Sequence, residues 1–152
     1  MKIEYRTASS CDIDVLVNYR LKLLKIEKTD ENYVIYKNNI YNYFLNGFEH
    51  DKCDVILAYT NNFIVGTGLV YYFDSVPSLY NLSGKNGYIT SMFVDEKYRR
   101  NGIASIILEK LMELAKSKHC EAVHLYTSSE EAHSIYKKYG FNDSKGNMTI
   151  KL

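Results

Sequence analysis

The stretch Arg99-Arg100-Asn101-Gly102-Ile103-Ala104-Ser105 has the residue types and spacing of an anion cradle. It follows a strand-like run, residues 88–94, and opens a strongly periodic helix in which Ile103, Ile107, Leu111 and Leu114 recur at helical spacing. Ile106, Leu108 and Ala115 widen the stripe. The first backbone N–H groups of such a helix have no intrahelical partner, and they lie at the positive end of the helix dipole, which suits a phosphate or pyrophosphate. Gly102 permits a tight turn or close approach of an anion, Ala104 and Ser105 are small, and Lys97, Arg99 and Arg100 add charge. A plain strand-to-helix turn with solvated basic residues would carry the same pattern, so the remaining sequence has to decide.

The elements that must position this stretch can be read in order. Residues 2–8 alternate as a first strand, and Ser9, Ser10 and Asp12 offer caps for a helix carrying Ile13, Leu16, Val17, Tyr19, Leu21, Leu23 and Leu24. After a charged loop, residues 25–32, a second helix places Tyr33, Tyr36, Ile40, Tyr43, Phe44 and Gly47 on a stripe expected to face the core. Residues 54–59 and 63–73 then read as a hairpin turning at Thr60-Asn61-Asn62, with Gly66 and Gly68 marking a bulge or a close backbone approach. Residues 74–86 read as a long surface loop. Beyond the cradle come a helix to about Lys118, a strand over 122–127, a helix over 129–139 and a closing hairpin, 141–143 with 148–152, turning at 144–147. The pattern is that of one mixed α/β domain over residues 1–152.

Composition narrows the classes. A 46% hydrophobic, 24% charged chain is ordinary for a soluble globular protein, and a net charge of +1 argues against a nucleic-acid binder. No apolar run is long enough for a membrane span, and the charged N-terminus is unlike a signal peptide, so a cytoplasmic location is expected. Cys11, Cys53 and Cys120 are far apart and lack partners at ligand spacing, which predicts reduced thiols and no metal site.

With the elements placed, the chain resembles the GCN5-related N-acetyltransferase (GNAT) superfamily. Tyr98-Arg99-Arg100-Asn101-Gly102-Ile103-Ala104 is similar to that family's Arg/Gln-x-x-Gly-x-Gly/Ala signature, and residues 87–94 are similar to its fourth strand. Ala132, Tyr136, Gly140 and Phe141 match its later Ala-x-x-x-Tyr-x-x-x-Gly-Phe pattern. The resemblance implies an α+β fold with a mixed, mostly antiparallel sheet of six to seven strands, splayed between the fourth and fifth, and about four helices. It implies acetyl-CoA as cosubstrate and direct attack by an acceptor amine, with no nucleic-acid or membrane partner and a homodimer left open.

Specific roles follow from the resemblance. The main chains of Met92, Phe93 and Val94 are expected to pair with the pantetheine arm as an added strand would. Amides of Arg100 or Asn101 through Gly102, Ile103, Ala104 and Ser105 are expected to hold the pyrophosphate, with Arg99 and Arg100 tuning affinity. Backbone N–H near Phe93 or Val94 would polarise the thioester carbonyl, and Tyr136 would act as the general acid for the leaving thiolate. Alignment of two substrates in one cleft can itself be worth about 7 to 11 kcal/mol in the best intramolecular cases. Ser129 is expected as N-cap of the last helix, and Ala132 as the small residue beneath the cofactor.

Two positions depart from the family pattern. Where many members carry a Glu on the fourth strand as base, this chain has Thr90 and Ser91. The proton's acceptor is therefore open among a water chain, a group from another element and the small deprotonated fraction of amine. His124 and His133 are the nearest titratable groups in sequence. Where many members carry an Asn, this chain has Ser128 and Ser129, whose hydroxyls have less reach. The acceptor side is expected from residues 25–33 and 74–87, with Glu27, Asp30, Glu31 and Asp74 as candidate attractors of a cationic amine. The rival reading is a GNAT-fold acyl-CoA sensor rather than an enzyme.

Overall fold

A computed structural model describes residues 2–144 and 149–151. Its five strands form one sheet in sequence order: β1 (Glu4–Thr7), β2 (Cys53–Thr60), β3 (Phe63–Asp74), β4 (Lys85–Val94) and β5 (Ala122–Leu125). The first four pair antiparallel, and β5 joins β4 in parallel. Four helices, α1 (Ile13–Leu23), α2 (Tyr33–Glu49), α3 (Ile103–Ser117) and α4 (Glu130–Lys138), complete the elements. No helix among the described residues is long and apolar enough to cross a membrane.

The β2–β3 hairpin forms because Asn61 and Asn62 accept the left-handed backbone, φ 46° and 65°, that a two-residue turn requires. Beyond the turn both strands are buried on two faces, so they read as nearly continuous apolar runs. Ile56, Ala58, Val65, Val70 and Ile89 meet Ile103, Ile107, Leu108 and Leu111 of α3 on one face. Val55, Leu57 and Leu69 meet Leu16, Val17 and Leu21 of α1 and Phe44 of α2 on the other.

Gly66 and Gly68 serve mainly close approach. A Cβ on Gly68 would lie 2.5 Å from Ile107 Cγ2 and 2.6 Å from Met92 Sδ, so α3 seats directly on this strand. Register breaks flank them. In β3, Val65 is the extra residue between the Ala58/Gly66 and Tyr59/Ile64 pairs. In β4, Ser91 and Met92 oppose Gly68 alone, and Ser91 takes φ 54°, a bulge that turns the strand.

The β4–β5 ladder runs from Asn86/Ala122 to Ile89/Leu125 and stops there. The strand after the bulge and the chain after Leu125 diverge, giving the expected splay.

Three expectations need correction. The sheet has five strands among the described residues, not six to seven. Phe141, Asn142 and Asp143 do not form a strand: the Phe141 ring packs on Tyr136 at 5.8 Å, and the Asp143 carboxylate is drawn back onto α4 by His133 and Lys137. Residues 145–148, most of the expected turn, lie outside the described residues, and residues 149–151 are not in a strand. The tyrosine stripe of α2 is core only in part. Phe44 and Gly47 are buried, whereas Tyr36 and Tyr43 are partly exposed on the flank of the stripe, with the Tyr43 hydroxyl desolvated enough to push its pKa up to about 12.

Gly68→Ala tests the seating of α3. Overpacking there should cost about 1–3 kcal/mol, read as a lower urea midpoint, and an unchanged midpoint would contradict the contact.

Candidate active site

The splay opens a cleft of about 860 Å³. Its walls are residues 89–94 of β4, the loop and first turn of α3, residues 126–129 after β5, and one face of α4, with Arg20, Leu23 and Leu24 of α1 at the side.

At one end lies the cradle. Arg100 (φ 62°) and Gly102 (φ 74°) both adopt left-handed backbone, and Gly102 is the N-cap of α3. Among the described residues, no acceptor is found for the N–H groups of residues 100–105; the first helical bond is Ile106 N–H to Gly102 C=O, 3.1 Å. A Cβ on Gly102 would meet nothing within 4 Å, so space stands open in front of these donors. Alternating left- and right-handed residues ahead of a helix turn successive N–H groups into one concavity, suited to an anion. Asn101 supports the loop from behind, its Nδ2 donating to the carbonyls of Tyr98 (3.0 Å) and Arg99 (3.1 Å). Arg99 donates from Nε to the Val94 carbonyl, 3.1 Å, tying the cradle to the end of β4.

In the middle stands Tyr136, 9% exposed, its ring set among Ile103, Ile107 and Phe141. Its hydroxyl has no hydrogen-bond partner among the described residues, yet no fully buried polar side-chain atom there is unpartnered. The hydroxyl therefore reaches the space of the cleft. Burial raises its pKa above the ordinary 10, so it remains a proton donor throughout the neutral range. Gly140, φ 90°, ends α4 with the Phe141 N–H bonded to the Tyr136 carbonyl, 3.2 Å, and this holds the tyrosine's turn in place. Ser129 caps the same helix, its Oγ accepting from Ala132 N–H at 3.3 Å.

The other side is tied to α1. Tyr19 stacks obliquely on Phe93 at 5.5 Å and donates from its hydroxyl to the Ile64 carbonyl. Lys22 pairs with Asp95 at 3.3 Å and lies over the Phe93 ring. Burial pushes the Asp95 carboxyl up, but Lys22 and the Lys97 N–H outweigh it, and the group ends below its usual range. Arg20 donates from Nη1 to Ser91 Oγ, 3.1 Å, at the bulge, and Thr67 donates to the Ser91 carbonyl, 3.3 Å.

Of the residues singled out in the sequence, Met92, Phe93, Val94, Arg99, Arg100, Gly102, Ile103, Ala104, Ser105, Ser129, Ala132 and Tyr136 all line this one cleft. Asn101 does not; its exposed side chain folds back onto the carbonyls of Tyr98 and Arg99 as a brace. His124 and His133 lie elsewhere: His124 faces Asn86 and Phe73, and His133 pairs with Asp143 at 2.7 Å. Glu27, Asp30, Glu31 and Asp74 are not in the lining either. The loop after β3 is instead fastened away from the cleft, with Glu121 accepting from the N–H groups of Leu82 and Ser83. Sequence reasoning missed Arg20. Its signal was there: position 20 falls within the apolar stripe of Ile13, Leu16, Val17, Leu21 and Leu24, where a charge needs a reason.

Fold and cleft together are those of an acyl-transfer family, and the chain belongs to the acetyltransferase (GNAT) family, whose model matches residues 20–141. A crystal structure of a predicted acetyltransferase with acetyl-CoA from Clostridium acetobutylicum is similar at TM-score 0.88 and 30% identity, covering 99% of this chain and 97% of that one. Thialysine N-epsilon-acetyltransferase of Bos taurus is 35% identical over 82 residues, 53% of this chain and 45% of that protein. Glucosamine 6-phosphate N-acetyltransferase of Trypanosoma brucei brucei is 35% identical over 66 residues, 43% and 44% of the two chains. This chain spans about half the length of the curated relatives it matches.

Inorganic pyrophosphate should shift the amide resonances of residues 100–105 selectively. Gly102→Asp, which places a like charge before the donors, should abolish the shifts. Equal shifts in both proteins would remove the anion from this loop.

Proposed function

We propose that this protein is an acetyl-CoA-dependent N-acetyltransferase that acts in the cytoplasm on a primary amine. The observation that carries the reading is the joining, in one cleft, of Arg100, Gly102, Ile103, Ala104 and Ser105, whose backbone N–H groups find no acceptor among the described residues, with the Tyr136 hydroxyl, which finds no partner among them either. The residues present fit the cosubstrate: unpaired N–H groups with open space before Gly102 match a pyrophosphate, and the unpaired edge of β4 beyond Ile89 matches an amide-bearing arm. Bound there, acetyl-CoA would supply the acetyl group as a thioester.

In this reading Gly102, Ile103, Ala104 and Ser105 bind through their amides, with Arg99 and Arg100 adding attraction. The main chains of Met92, Phe93 and Val94 orient the arm and polarise the reacting carbonyl. Tyr136 gives its phenolic proton to the departing sulfur, a transfer that is uphill but within reach of neutral pH on the ordinary pKa values of phenol and thiol, about 10 and 8.5. Ser129 and Ala132 fix the first turn of α4 beside the cleft. The amine proton leaves by water ordered at Thr90 or Ser91, since β4 has no carboxylate facing the cleft. That same gap favours a second reading, an acyl-CoA sensor, which would bind without turning over any amine.

Acetyl-CoA should raise the melting temperature where acetate does not, and no stabilisation at saturation would end the reading. Tyr136→Phe should lower kcat by about 10²–10⁴ with acetyl-CoA affinity little changed. Because burial raises the phenol, loss of the acid should appear only above pH 10 in the wild-type kcat profile, and this alkaline limb should vanish in Tyr136→Phe.

A further inference from the structure

The acceptor end of the cleft has a cation and no counter-ion. Arg20 projects from the centre of the buried stripe of α1 and is half-buried between Leu23, Leu24 and the bulge of β4. Its one hydrogen bond goes to a neutral group, Ser91 Oγ, at 3.1 Å. No carboxylate pairs with it among the described residues, although the next cation along α1, Lys22, is paired with Asp95. Burial draws its pKa down from the ordinary value, against a smaller upward pull from the Tyr43 phenol. An arginine cannot relieve this by losing its proton, and its five N–H donors are built for a planar or tetrahedral oxyanion. The lining has one carboxylate, Glu131, which is exposed on the first turn of α4, across from α1.

Distance separates this cation from the cradle. Ser91, the partner of Arg20, lies three residues before Val94, where the cradle is tied on, a span of at most about 10 Å along the strand that the bulge shortens. A pyrophosphate held by residues 100–105 leaves Arg20 unused.

We infer that the acceptor is an amine that also carries an oxyanion group, a carboxylate or a phosphate, and that Arg20 holds this group beside the bulge of β4. The inference rests on the acetyltransferase reading and names its substrate class. Leu23 and Leu24, which line the same cleft, suit a short aliphatic stem between amine and anion. Ser91 steadies one side of the guanidinium and leaves the remaining donors for the ligand.

The test compares amines matched in size: β-alanine and O-phosphoethanolamine against ethanolamine, β-alanine amide and putrescine. CoA release gives kcat and KM, and calorimetry gives amine binding to the CoA-loaded protein. One or both anionic amines should exceed the others in kcat/KM by about tenfold or more. The two anionic arms tell carboxylate from phosphate. Arg20→Gln should erase the preference chiefly through KM, leave acetyl-CoA affinity unchanged, and be partly rescued by Arg20→Lys. Preference for the neutral or dicationic amines overturns the inference. So does an equal loss of kcat for every amine in Arg20→Gln, which would make Arg20 a brace for the bulge alone. An Arg20-dependent preference for succinyl-CoA over acetyl-CoA would overturn it too, assigning the guanidinium to the donor. If acetyl-CoA binds but the anionic amines neither react nor bind, the inference falls and the cofactor site stands. If acetyl-CoA itself does not bind, the functional reading falls and takes the inference with it.

Discussion

The structure depends on a pairing that stops. β4 and β5 share a ladder over four residue pairs and then part, although β4 continues for five residues more. Backbone groups along a separated strand edge must find partners, and a sheet edge beside a cleft is open to an extended ligand. Two local features enforce the separation. The bulge at Ser91 and Met92 turns β4, and β5 ends at Leu125, so its successor leads to the cap of α4 rather than back to the sheet. Everything else in the cleft is arranged along the gap they leave.

Position in the gap comes from packing elsewhere. Gly66 and Gly68 let α3 lie against β3, which sets the height of its N-terminus relative to β4. That N-terminus would be an ordinary frayed helix end without the loop before it. Arg99 is bonded to the Val94 carbonyl and Asn101 to two carbonyls of the loop, so Arg100 and Gly102 keep their left-handed backbone and the amides keep one direction. The cost of leaving donors unpaired is met by rigidity around them, a common arrangement at functional sites. Tyr136 is held in the same manner, by the Gly140 turn behind it and the Phe141 ring beside it.

Much of this was legible in the sequence because it depends on local rules. Gly102 before an apolar stripe, Tyr136 ahead of Gly140-Phe141, and the Asn61-Asn62 turn each carry a signal within a few residues. What was not legible depends on contacts between distant segments. Phe141, Asn142 and Asp143 look like a strand in isolation, but Asp143 finds His133 and Lys137 on α4 first. The acids near residues 27–31 and Asp74 have no local reason to be outside the cleft. For the loop after β3 that placement comes with Glu121, some forty residues later, which pins Leu82 and Ser83. Asn101 sits within the motif and yet supports it from behind, a distinction of side-chain direction that spacing alone does not carry.

Charge completes the picture. Near the cradle the attraction is diffuse: exposed Arg99 and Arg100 stand around neutral amides, so removing either arginine leaves the oriented donors in place. At the bulge it is concentrated in one half-buried guanidinium whose surroundings are apolar or neutral. Exposed charges are screened and mainly assist encounter, whereas a partly desolvated one discriminates strongly between ligands that match it and ligands that do not. The two ends of the cleft therefore offer different kinds of attraction. In the proposed reading one end would take an anion through backbone amides that Arg99, Asn101 and Gly102 keep in place, and the other would select through the Arg20 side chain. The contrast has a physical basis, because the end of α3 presents main-chain donors and position 20 of α1 presents a side chain.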